Sequence, residues 1–107
     1  MKNEYGAALD GNGYAQSLLT LGEGCVICGR SGGKVDRHEI FHGAFRAKSK
    51  RLGLWCLLCH DCHMRLHQRD AAADLYLKQA GQLAAMEVYG WTIGEFISQF
   101  GKNYLEE

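Results

Sequence analysis

The chain has 107 residues, 47% of them apolar and 22% charged, which suits one globular domain and excludes a disordered or collagen-like chain. No apolar run reaches the roughly 18–20 residues of a membrane span, and Met1-Lys2-Asn3-Glu4-Tyr5 does not open a secretory signal, so a cytoplasmic protein is expected. Twelve basic residues balance twelve acidic ones, yet residues 30–69 carry a net +6 and the remainder −6. Such a segment is either a solvated loop or a surface for nucleic acid.

Residues 1–24 are punctuated by Gly6, Gly11, Gly13, Gly22 and Gly24. They predict a partly flexible N-terminal extension with at most a short helix from Gln16 to Leu21. Residues 25–69 form the chemical core. Val35 to Phe41 reads as a strand between Ser31-Gly32-Gly33 and Gly43, followed by a basic loop, Arg46 to Arg51. Leu52 to Leu58 is an apolar run suited to a second strand, and from Asp61 the pattern turns helical, with Cys62, Leu66 and Arg69 about a turn apart.

Residues 70–107 predict two helices that pack on that core as scaffold. Asp70 is a candidate N-cap, and Ala72, Leu75, Tyr76, Gln79, Ala80, Leu83 and Met86 or Glu87 follow at helical spacing up to Gly90. Thr92-Ile93-Gly94-Glu95 has the form of a capping box, opening a helix with Phe96, Ile97 and Phe100 on its apolar face and Gly101 at its end. The fold class expected is α+β, in a single domain.

Five cysteines are an odd number with paired spacing, which points to metal rather than disulfides. Cys25-Val26-Ile27-Cys28 and Cys59-His60-Asp61-Cys62 are two C-x2-C pairs, and two such knuckles complete a tetrahedral structural zinc site. A redox pair would want a βαβ context that is missing here. Cys56, inside Leu54-Trp55-Cys56-Leu57-Leu58, is expected to be a buried inert thiol. His63 and His67 lie four apart on a predicted helix, so both imidazoles leave one face and can share a divalent cation. His38 would add a third ligand from the strand. His60 is expected at the surface, and His42 is a spare candidate for ligand or base.

Taken together, Cys25-x2-Cys28, Asp36-Arg37-His38-Glu39-Ile40-Phe41 and Leu58-Cys59-x2-Cys62-His63-x3-His67 resemble the zinc-stapled HNH endonucleases. The string from His38 to Gly43 with Arg46, Ser49 and Gly53-Leu54-Trp55 is similar to small bacteriophage HNH proteins. So are Tyr89-Gly90-Trp91-Thr92 and Phe100 to Leu105. The resemblance implies a treble-clef-like ββα-metal fold over residues 25–67, in which a hairpin and helix cradle one catalytic cation (Mg2+, Mn2+, Ni2+ or Zn2+) apart from the four-cysteine zinc.

It further implies His38, His63 and His67 as cation ligands and Glu39 as general base. Arg46, counted with Glu39 and His38 among the catalytic residues, would hold flanking phosphates together with Arg37, Lys48, Lys50 and Arg51. Two positions depart from the family pattern. Glu39 stands where histidine is usual, and Gly53, Leu54 and Trp55 occupy the region of the expected asparagine. A carboxylate beside a cation is a weakened base, so Glu39 is either the base or a further metal ligand, in which case His38 or His42 takes the base role.

The activity expected is metal-dependent endonuclease or nickase action on DNA, within a bacterial host cell if the chain is phage-encoded. One alternative is a degenerate HNH module that binds nucleic acid without cutting. Another is a module whose acidic helices, residues 70–107, contact a phage or host protein. A homodimer would let a single-site nickase cut both strands.

Overall fold

The computed structural model describes residues 1–19, 24–29, 35–68 and 70–105. Strand β1 (Val35–Glu39) pairs antiparallel with β2 (Trp55–Cys59), in a register that sets Asp36 opposite Leu58 and His38 opposite Cys56. Between them lie a 3-10 turn, Gly43–Phe45, and α1 (Arg46–Arg51). Helices α2 (His60–Gln68), α3 (Ala71–Tyr89) and α4 (Ile93–Phe100) follow. The described residues therefore form an α+β fold with one two-stranded sheet. Among them, no helix is long and apolar enough to cross a membrane.

Strand β2 begins and ends later than the apolar run suggested, because Leu52 and Gly53 turn the chain back from α1. The expected basic loop is helix α1. Arg, Ala and Lys are good helix formers, and Leu52 N–H closes the end on the carbonyl of Lys48 at 3.0 Å. Ser49, fully buried, fixes the turn by donating to the Leu54 carbonyl and accepting from Phe41 N–H at 3.2 Å.

No helix forms over residues 16–19, and the remainder of that predicted helix lies outside the described residues. Here the backbone is irregular, bends at Leu18 and Leu19, and bonds outward instead. Ala15 N–H donates to Lys50 O at 3.1 Å, Leu18 N–H to Gly53 O at 2.9 Å, and the Trp55 indole to Ala15 O at 2.7 Å. Gly53 permits this contact. Its φ is +76°, and a Cβ there would sit 2.4 Å from the Gln16 carbonyl oxygen.

Helix α3 starts and stops as predicted. The Asp70 side chain accepts from Ala73 N–H at 2.9 Å, and Gly90 closes the helix in the left-handed region. Its buried face, however, is not the expected one. Leu75, Tyr76 and Leu83 are exposed, while Leu77, Gly81, Gln82 and Ala85 are buried. The inner face is chosen by what it meets. A Cβ on Gly81 would lie 3.2–3.4 Å from Phe41 and Ile40, so only glycine allows that approach without displacing them. Gln82 is wholly buried because both ends of its amide are paired, donating to Asn103 Oδ1 and accepting from Tyr104 N–H, each at 2.8 Å.

Helix α4 has the predicted capping box and buries Phe96 and Phe100, whereas Ile97 is exposed. Phe41, two residues past β1, packs tilted against Phe100 at 4.6 Å and edge-on to Phe96 at 5.4 Å between ring centroids. This aromatic core anchors the hairpin on the C-terminal helices. It also fixes β1, and so the side chains β1 presents to α2.

Candidate metal centres

The first centre joins the loop of residues 25–28 to the β2–α2 junction. Val26 N–H donates to Leu57 O at 2.9 Å, tying the first cysteine pair to the second strand. The sulfurs of Cys25, Cys28, Cys59 and Cys62 all lie within 4.8 Å of one another, with Cys28 and Cys59 at 3.7 Å. A tetrahedron of thiolates about 2.3 Å from one ion has edges of about 3.8 Å, so the cluster fits a divalent metal.

The charge distribution agrees. Burial raises the Cys25 thiol, but backbone amides of Cys28, Cys59 and Ile27 outweigh it and bring it down to about 6. Burial and the neighbouring sulfurs push Cys62 up to about 12. Without a cation the cluster thus resists full ionisation, and a divalent metal relieves it. Cys56 stays outside the cluster, fully buried and pushed up to about 12 by burial and then by Cys25, as an inert thiol should be.

The second centre lies between β1 and α2. Alternate residues of β1 share a face, so Asp36 and His38 both point toward α2, where His63 and His67 stand one turn apart. Ring centroids of His38 lie 5.4 Å from His63 and 5.6 Å from His67, and one nitrogen of each of the three rings falls within 4.8 Å of the others. The Nε2 atoms of His63 and His67 are 3.0 Å apart. Two nitrogens about 2.1 Å from one ion are separated by roughly 3.0–3.4 Å, so this pair also fits a shared cation.

His38 Nε2 is buried and, among the described residues, has no hydrogen-bond partner. Burial, then the adjacent His63 and His67 rings, hold its pKa down to about 4. The ring is therefore neutral at pH 7 and keeps a lone pair for a metal.

These three rings open onto a cavity of about 460 Å3 that is also lined by Arg37, Glu39, His42 and Arg46. Glu39 is not one of the converging ligands. Its Oε1 accepts from Arg46 Nε and its Oε2 from the Tyr14 hydroxyl, both at 2.6 Å. Burial and the Glu39 carboxylate raise the Tyr14 phenol, which accordingly keeps its proton and donates. His42 is half-exposed at the cavity edge, 4.0 Å from Asp74 and with its ring 6.3 Å from that of His38.

The cations expected to meet phosphate all have partners within the chain. Arg37 pairs with Asp10 at 3.0 Å and lies over the Tyr14 and Trp55 rings, and Arg51 is held by both carboxylate oxygens of Glu4. Lys48 donates to Gln99 O at 2.9 Å, and Lys50 lies 4.8 Å over the Tyr14 ring. Arg46 keeps 64% of its side chain exposed despite its Glu39 bond. Arg30, Lys34, Arg69 and the Ser31-Gly32-Gly33 boundary lie outside the described residues.

Two residues escaped sequence reasoning. Tyr14 needed the fold of the N-terminal segment to reach Glu39. Asp36 had a readable signal, its i, i+2 spacing from His38. Its Oδ2 accepts from His63 Nδ1 at 3.0 Å and His60 Nδ1 at 3.3 Å, and the His63 bond leads in holding its carboxyl below the usual range. His60 itself is exposed, as expected.

No family model matches the chain, and neither does any curated protein or solved structure.

Proposed function

We propose that this chain is a metal-dependent endonuclease or nickase that hydrolyses DNA phosphodiester bonds through an HNH-type, ββα-metal site. The observation that carries the reading is the buried, unpartnered Nε2 of His38 in a cluster of three imidazoles that opens onto a cavity beside two arginines. A purely structural fold gains nothing from an orphaned buried nitrogen, whereas a cation site requires its lone pair. The four cysteines, in this reading, hold zinc as a staple for a chain with a small core.

His38, His63 and His67 would hold the catalytic cation where the three rings meet the cavity. When bound, the cation supplies Lewis-acid stabilisation of the charge that develops on the phosphate and the departing oxygen. Arg46, mostly exposed at the rim, positions a phosphate there. His42 is the base the geometry favours, because both oxygens of Glu39 are already engaged and His38 belongs to the ligand set. It takes a proton from the attacking water and is itself steadied by Asp74. Glu39 then orients Arg46 rather than abstracting a proton.

A second reading, a module that binds nucleic acid without cutting, is favoured by that same engagement of Glu39, which removes the base at the family position. Zinc-loaded protein incubated with supercoiled plasmid and Mg2+, Mn2+ or Ni2+ separates the two. Cation-dependent nicking that disappears in His42→Ala supports the enzyme. A salt-sensitive mobility shift without nicking supports the binding module.

A further inference from the structure

We infer that Asp36 is a positioning residue for the imidazole site: its carboxylate fixes His63 as the Nδ1–H tautomer and so presents the Nε2 lone pair to the cation. This rests on the reading of His38, His63 and His67 as a cation site. An ionised carboxylate can only accept, so the His63 nitrogen 3.0 Å from Asp36 Oδ2 must carry the proton. A neutral imidazole has one N–H and one lone pair, which leaves Nε2 of His63 bare.

That is the nitrogen facing His67, 3.0 Å from its Nε2 and inside the three-ring cluster. The bond also stops the ring turning about Cβ–Cγ, which would put ring carbons where the two nitrogens stand. Carboxylate partners of this kind orient metal-binding histidines and make them more basic.

The strand builds the arrangement. Asp36 and His38 are alternate residues of β1 and face α2 together, so one strand delivers a ligand and the group that orients a second ligand. Oδ2 also accepts from His60 Nδ1 at 3.3 Å. His60 sits inside the second cysteine knuckle, at the start of α2, so this carboxylate pins the first turns of the helix that carries His63. His60 itself is not in the imidazole cluster.

The test is a Co2+ titration of protein whose four cysteines are loaded with zinc, followed by the visible d–d absorption of cobalt bound to nitrogen. Wild type should take one Co2+. Asp36→Ala should bind it about 10–100-fold more weakly, and Asp36→Asn, which keeps an acceptor oxygen without the charge, should fall between. Unchanged affinity in Asp36→Ala would overturn the assignment.

A wild-type chain that binds no Co2+ beyond the cysteines would overturn the cation site itself, and this assignment with it. Should Asp36→Ala fail to fold, nitrogen-15 correlation spectra of the wild-type imidazoles decide alone. An Nδ1–H tautomer at His63 is expected, and an Nε2–H tautomer overturns the inference.

Discussion

Replacing His38 by leucine should stabilise the cation-free protein, provided its cysteines hold their metal. The imidazole is 3% exposed and its Nε2 lacks a partner, a defect worth about 1–3 kcal/mol. Leucine is of comparable size and carries no polar atom, so most of that cost is recovered near pH 7.5.

Acid should widen the gap. The folded pKa of His38, about 4, lies below the ordinary 6.5, so the unfolded chain binds more protons between those values. Stability is then complete above pH 6.5, falls as pH drops toward 4, and is level below that. At pH 5 the two values imply a loss of about 2 kcal/mol in wild type that the variant escapes. Other titrating groups act on both proteins, so the difference between them isolates His38.

Urea unfolding of wild type and His38→Leu at pH 7.5 and pH 5, with metal held at one equivalent per chain, reads both effects. A variant less stable at pH 7.5, or a gap that fails to widen in acid, would refute the picture of a buried neutral imidazole held ready for a ligand.

Gly53→Ala should cost about 2–4 kcal/mol, since a left-handed residue gains a Cβ and the new atom meets the Gln16 carbonyl; a shift of the urea midpoint equivalent to less than about 1 kcal/mol would contradict that close approach. Cys25→Ser should lose metal and most of its circular dichroism together, because a structural metal contributes folding free energy directly, and a native spectrum after metal removal would show the staple to be dispensable. Cys56 should resist alkylation in native protein at pH 8, given its full burial and its thiol pushed up to about 12, and should react only on unfolding. Gln82→Leu should destabilise by about 1–3 kcal/mol by stranding Asn103 and the Tyr104 amide, measured by thermal melting.

What could be read from the sequence was local. The two C-x2-C pairs, the i, i+4 histidines, the Asp70 cap and the Thr92–Glu95 capping box all depend on spacings of a few residues, and each has its expected geometry. The inner face of α3 was different. Its outer side carries Leu75, Tyr76 and Leu83, which outweigh in bulk the Leu77, Gly81, Gln82 and Ala85 of the inner side. Glycine and glutamine became core residues only because Ile40, Phe41, Asn103 and Tyr104, distant in sequence, meet them there.

The candidate site divides in the same way. Its ligands were legible as residue types at helical and strand spacing. The groups that restrain them, Asp36 on His63 and Tyr14 with Arg46 on Glu39, depend on strand register and on a segment 25 residues away. The basic stretch read as a free positive surface, yet Glu4 and Asp10 from the N-terminal segment neutralise Arg51 and Arg37.

The most direct test of the imidazole site as a nuclease centre follows plasmid nicking and Co2+ occupancy together, in one cation titration of wild type and His67→Ala. Nicking should rise with occupancy in wild type, and both should vanish in His67→Ala while the fold and the cysteine-bound metal persist. Nicking that survives the loss of His67, or a filled site that cuts nothing under any cation, would contradict the proposed site.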